Sequence, residues 1–152
     1  MTPAKPQRTI GLDYGMARIG VAVSDPTKTL ASPWKNILAS KKTPETVKNV
    51  IAEIELIRNH HGCEVDLIVL GLPLMMSGKS GLIADEVKHF KDALEAAQPI
   101  PIVLWDERLT TVQAERSLRE SSLNRKRRSQ KVDSIAAIII LQNYLDYKKN
   151  VI

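Results

Sequence analysis

The stretch GLDYGMARIGVAVSD, residues 11–25, decides how the rest of the chain is read. Thr9–Asp13 and Arg18–Ser24 alternate and carry β-branched residues, and the DYGMA connection between them fits a hairpin. Side chains along a strand point alternately to opposite faces, so Ile10 and Leu12 share one side while Gly11 and Asp13 share the other. Across the hairpin, Gly20 and Ala22 share a face opposite Ile19, Val21 and Val23. In-register pairing then puts Asp13 on a face lined with small residues, which leaves room for a ligand or a closely packed helix. A plainer alternative is that Asp13 only caps the turn before Gly15.

The chain has 152 residues, 43% hydrophobic and 26% charged, which fits one globular domain with a core of its own. Lys and Arg total 22 against 17 Asp and Glu, a net charge of +5 that permits a nucleic-acid partner without requiring one. Cys63 is the only cysteine, so no intrachain disulfide can form, as suits a reducing cytoplasm. The longest apolar run, residues 135–141, is far too short to span a membrane, and MTPAKPQR lacks a signal-peptide core. The expectation is a soluble, cytoplasmic protein with no membrane partner. Monomer and homodimer both stay open. Residues 1–7 and 148–152 are expected to be flexible ends of a single domain spanning residues 1–152.

Further along, residues 29–38 read as a third strand, with Pro33 pointing to a sheet edge or a break. Thr43 as N-cap and Pro44 at the first helical position open a helix that presents Val47, Val50, Ile51, Ile54 and Ile57 or Leu56, and Gly62 closes it. Residues 65–70 form an apolar run broken only by Asp66, the pattern of a strand covered on both faces, and Gly71-Leu72-Pro73 stops it. A second helix over 80–97 carries Ile83, Val87, Phe90 and Leu94 on one stripe; residues 102–105 form another buried strand; helices follow over 110–119 and 129–147. Three strands followed by alternating strands and helices specify an α/β domain. Its mixed sheet is an antiparallel meander followed by parallel strands, with helices on both faces.

Two further acidic elements join Asp13. WDERLTT, residues 105–111, places Asp106 and Glu107 just past a strand, where ligands of open α/β sheets bind. Adjacent residues face opposite ways, so one of the two faces a site; alternatively both favour the start of the next helix. In KVDSIAAIIIL, residues 131–141, Asp133 lies early in an apolar helix with Ala136 and Ala137 on its flank, small enough for a close approach to the sheet. Three carboxylates from a first strand, a later strand end and a last helix suit hard divalent cations, which take oxygen ligands. Two such ions clamp the attacking and leaving oxygens of a phosphodiester.

GLDYGMARIGVAVSD, GLPLMMSGKSG, WDERLTT and KVDSIAAIIIL, in this order over nearly the whole chain, resemble the YqgF/RuvX family. The resemblance implies a ribonuclease H-like fold related to Holliday-junction resolvases. It implies a nuclease of structured RNA that matures the 5′ end of pre-16S rRNA in ribosome biogenesis, with Mg²⁺ or Mn²⁺ as cofactor. By that resemblance Asp13, Glu107 and Asp133 are the catalytic metal ligands, and Arg18, Arg108, Thr110 and Thr111 touch substrate or brace the site. One position departs from the family pattern: Met75 stands where an Asn usually follows LPL, and Met cannot donate a hydrogen bond; Ser77 replaces an acidic residue or Asn. The cations of NRKRRSQK, among them Arg125, Lys126, Arg127 and Arg128, lead into the Asp133 helix and could hold a phosphate backbone.

The nucleic-acid partner is then a ribosomal RNA precursor, with branched DNA as the alternative substrate of the same carboxylates. A non-catalytic RNA-binding assembly factor with this fold is a second class. A two-lobed sugar-kinase or actin-like phosphotransferase, which also opens on D-x-G, needs more chain than is present. His60 and His61 are expected to face water, Cys63 to be structural, and Trp34 and Trp105 to be packing anchors. At 4% aromatic residues the chain is not a stacking-type single-strand binder.

Overall fold

The computed structural model describes residues 4–15, 17–73, 81–107 and 132–150. Five strands form one mixed sheet: β1 (Gln7–Tyr14), β2 (Arg18–Ser24), β3 (Ala31–Leu38), β4 (Glu64–Leu72) and β5 (Ile102–Asp106), in the spatial order β3-β2-β1-β4-β5. The first three run antiparallel, and β4 and β5 add in parallel beside β1. The helices are α1 (Thr43–His61), α2 (Leu82–Ala97) and α3 (Val132–Asn150). β1 starts at Gln7 and α3 runs to Asn150, so regular structure reaches into both stretches expected to be flexible.

The hairpin pairs in the expected register, with Gly11 opposite Ala22 and Asp13 opposite Gly20. Its large aliphatic face, Ile10, Leu12, Ile19, Val21 and Val23, joins Val47, Val50, Ile54 and Ile57 of α1 and Val87, Phe90 and Leu94 of α2 in the main core. The opposite face packs under α3 through Ala22, Val69, Ala137, Ile140, Leu141 and Leu145. β4 contributes to both cores, Ile68 and Leu70 to one and Val69 to the other, as its unbroken apolar run implies. Its one polar interruption, Asp66, sits where the pairing register with β1 shifts: Arg8 faces Val65, but Thr9 faces Leu67. There Asp66 accepts from the Thr9 hydroxyl at 3.0 Å and pairs with Lys28.

Several boundaries differ from the sequence reading. Helix α1 is capped by Lys42, not Thr43, because the entry bonds come from elsewhere: Thr46 Oγ1 accepts from the Ser40 N–H (2.8 Å), and the Ser40 hydroxyl donates to Glu45 (2.6 Å). Gly62 does end α1, in the left-handed region at φ 58° that a glycine adopts without strain. The buried stripe of α2 runs through Ala84 rather than Ile83. Strand β5 is half-buried, not buried, since among the described residues it pairs with β4 alone. Strand β3 starts at Ala31 because Thr29 and Leu30 belong to a turn, where their N–H groups donate to Asp25 Oδ1 at 2.7 and 3.0 Å. Pro33 lies on an edge strand, beside a register shift that leaves Trp34 without a partner on β2. The expected helix over 110–119 lies outside the described residues.

Helix α3 lies so close to the sheet that a Cβ on Gly11 would stand 2.7 Å from Leu141 Cβ and 3.1 Å from the Ala137 carbonyl oxygen. These are backbone-proximal atoms that cannot swing aside, so Gly11→Ala must lift the helix. A loss of about 1–3 kcal/mol is expected, the usual cost of overpacking, measured by urea denaturation; an unchanged midpoint would contradict the contact.

Candidate active site

Strand alternation carries the small-residue face of the hairpin across the sheet. Gly11 pairs with Val69 and Leu12 with Leu70 in parallel register, which puts Gly71 beside Asp13; Gly71 in turn pairs with Trp105. Asp106 pairs with Leu72 and follows the opposite face, so Glu107, one residue on, returns to the side of Trp105, Gly71 and Asp13. The carboxyl groups of Asp13 and Glu107 hydrogen-bond to each other. Both residues are half-buried. Asp13 thus faces a second carboxyl group across the end of the sheet.

Gly71 makes this meeting possible. A Cβ there would stand 3.2 Å from Glu107 Oε1 and 2.5 Å from Ile140 Cδ1, so the carboxylate and the helix side chain share space that any other residue would fill. The sequence reading treated Gly71 as a strand stop; it is an internal strand position, since β4 continues to Leu72. A glycine inside an apolar strand is the available signal for a close approach.

Burial pushes the Glu107 carboxyl above its ordinary range, the hydrogen bond from Asp13 works the other way, and the Asp106 carboxylate adds to the rise. Burial and the neighbouring Asp106 carboxylate both favour the protonated form of Glu107.

Helix α3 brings Asp133 to the same end. The strand advances about 6–7 Å from Gly11 to Asp13, and the helix about 6 Å from Ala137 back to Asp133. Because Ala137 stands over Gly11, the backbone of Asp133 lies at the Asp13 end of the sheet. Its side chain lies outside the described residues. Arg18, exposed at the start of β2, falls on the Asp13 face by alternation with Gly20. Arg108, Thr110, Thr111, Arg125, Lys126, Arg127 and Arg128 lie outside the described residues, as do Met75 and Ser77.

The RuvX family model, described as "Holliday junction resolvase", matches residues 7–147. The chain belongs to the RuvX family. A relative from Protochlamydia amoebophila named "Putative pre-16S rRNA nuclease" is 56% identical over 142 residues, 93% of this chain and 95% of that one. A relative of the same name from Thermoanaerobacter pseudethanolicus is 44% identical, covering 94% and 99%. Among solved structures, Thermus thermophilus RuvC in complex with a Holliday junction substrate aligns with a TM-score of 0.56 at 13% identity, over 94% of this chain and 95% of that one. The yeast mitochondrial Holliday junction resolvase Ydc2 aligns at 0.53 and 13% identity, over 97% and 82%. At these identities the two structures establish the shared fold, the ribonuclease H-like resolvase fold expected from the sequence.

The raised Glu107 pKa has a consequence for stability. Its folded value lies above the ordinary one, so the stability it contributes is full below the ordinary value and is lost as pH rises through the folded one. Glu107→Gln, whose amide can donate to Asp13, is therefore expected to raise the unfolding midpoint at neutral pH in EDTA. The gain should fade as pH falls below the carboxylate range. Urea midpoints across pH test this; a mutant less stable at neutral pH would refute it.

Proposed function

We propose that the protein is a metal-dependent nuclease that hydrolyses phosphodiester bonds of structured RNA, acting in the cytoplasm on the 5′ end of pre-16S rRNA. The observation that carries this reading is the Asp13–Glu107 pair at the sheet end toward which α3 brings Asp133, in a chain of the RuvX family. The names of the relatives support the substrate.

The donor set fits a divalent cation. All three candidates offer carboxylate oxygens, the ligands that Mg²⁺ and Mn²⁺ take. The raised Glu107 carboxyl beside Asp13 is a group whose negative charge a bound cation would offset. Asp13, Glu107 and Asp133 would hold the ion or ion pair. Bound there, it would supply a nucleophilic hydroxide from water and offset charge on the phosphate. The chain's own part is positional: paired strands fix Asp13 and Glu107, and the glycines let α3 close over them. Arg18, on the Asp13 face, is placed to meet a phosphate oxygen.

Asp13→Asn keeps the shape and removes the charge. It is expected to lower cleavage of a pre-16S rRNA fragment in Mg²⁺ or Mn²⁺ by about a thousandfold, roughly 4 kcal/mol of barrier, while RNA binding persists. Substantial cleavage by the folded mutant would remove Asp13 from the ligand set. Because the matching family model is described as a Holliday junction resolvase, a four-way DNA junction belongs in the same assay as the second reading.

The basic segment before α3 yields a separate test. Neutralising Arg125, Lys126, Arg127 and Arg128 together should weaken binding evenly across sequences. It should also flatten the salt dependence by about 0.7 log units per log salt for each lost single-strand phosphate contact. An unchanged slope with both RNA and junction would exclude the segment from the interface.

A further inference from the structure

A cleft of about 360 Å³ opens at the Asp13 end of the sheet, on the side of α1 and α2, among Tyr14, Ser40, Lys41, Thr43, Glu86 and His89. Tyr14 follows Asp13 and is the last residue of β1, so the two side chains leave on opposite faces at the point where the strand stops. The connection from β3 to α1 is drawn to the same end. β3 finishes at Leu38, opposite Arg18, and the Ala39 N–H donates to the Ala17 carbonyl at 2.9 Å. That bond sets Ser40 and Lys41 beside the turn between β1 and β2. A polynucleotide crossing this end of the sheet meets the carboxylates on one side and the cleft on the other.

The lining is mixed in charge. Lys41, Glu86 and His89 are all exposed, the last two one turn apart on α2. Among the described residues, no hydrogen bond or ion pair engages the Glu86 carboxylate. Tyr14 is half-buried, with its ring against Phe90 at a centroid distance of 5.0 Å. Burial first, then the Glu86 charge, raises its pKa, so it stays a neutral hydroxyl that both donates and accepts. Such a lining does not suit a lone phosphate, which the Glu86 carboxylate would repel. It does suit a ribonucleotide. A carboxylate only accepts hydrogen bonds, and the ribose 2′-hydroxyl is a donor that DNA lacks. The Lys41 ammonium supplies the charge that a backbone phosphate needs.

We propose that this cleft takes one nucleotide of the substrate, with Glu86 accepting from its 2′-hydroxyl and Lys41 meeting its phosphate, and so makes the protein prefer RNA to DNA. This rests on the reading of the protein as a nuclease of RNA, and it names the residue that recognises the sugar. Amino groups of the bases also donate to carboxylates, but RNA and DNA share them, so the two contacts are separable.

The test is the affinity for an RNA hairpin and for a DNA hairpin of identical bases, deoxyuridine included, in EDTA so that nothing is cleaved. The wild-type protein should bind the RNA more tightly. Glu86→Ala should weaken the RNA complex roughly tenfold, the loss of one charge-assisted contact. It should leave the DNA complex unchanged or tighter, because removing a carboxylate otherwise favours a polyanion. Glu86→Gln, whose amide oxygen still accepts, should keep part of the preference. Lys41→Gln should weaken both complexes. Both positions are exposed, so the variants should fold. RNA affinity unchanged or raised in Glu86→Ala or Lys41→Gln overturns the proposal. So does an equal loss on RNA and DNA in Glu86→Ala, which would mark a contact to a base. These results leave the nuclease reading standing, whereas a wild-type protein that binds neither hairpin, in EDTA or in Mg²⁺, overturns both.

Discussion

Helix α3 rests directly on the backbone of β1 and β4, and the site depends on that contact. Leu141 and the Ala137 carbonyl occupy the space that a side chain at Gly11 would need, and Ile140 does the same over Gly71. A bulkier residue at either position would lift the helix and carry Asp133 away from the sheet end. The same absence of a side chain at Gly71 admits the Glu107 carboxyl beside Asp13. Packing and site geometry thus rest on one device, two strand glycines under a helix.

Strain of a different kind is concentrated at the carboxylates. Glu107 is held half-buried against a second carboxyl, an arrangement that resists full ionisation. Proteins carry such costs where a function needs them. Here the cost is borne by two hydrophobic layers, one under α1 and α2 and one under α3, and the large side chains of the first are almost wholly withdrawn from water. At the opposite end of the sheet, Arg8 and the two histidines gather around Trp34 beside the Asp25 carboxylate, which its own turn keeps ionised.

Much of this was legible in the residues. Alternation in GLDYGMARIGVAVSD specified the hairpin, its register and the small-residue face, because a strand's period of two leaves little freedom once one face is aliphatic. Alternation showed that only one of Asp106 and Glu107 could face the site; the family resemblance named Glu107, and the register of β5 on β4 puts it on the Asp13 side. Helix limits were less exact: Thr43 looked like an N-cap, but Thr46 and Ser40 make the entry bonds, and such pairings over six residues leave no local signature. Trp34 was read as a packing anchor and is one, whereas its two histidine neighbours come from the far end of α1 and could not be foreseen from their own surroundings.

The sequence by itself determined the antiparallel meander with parallel additions, the two-sided core and the candidate carboxylates, since these follow from local periodicity, chain connectivity and the family resemblance; that the parallel strands join β1 was decided by the tertiary structure. Tertiary structure decided the rest: that Gly71 lies inside a strand and yields its space to Glu107, that Asp13 and Glu107 share a hydrogen bond, and that Arg8 meets His60 and His61. These depend on how closely distant segments approach. That distance is set by the summed volumes of side chains on several elements at once, which no single stretch of sequence encodes.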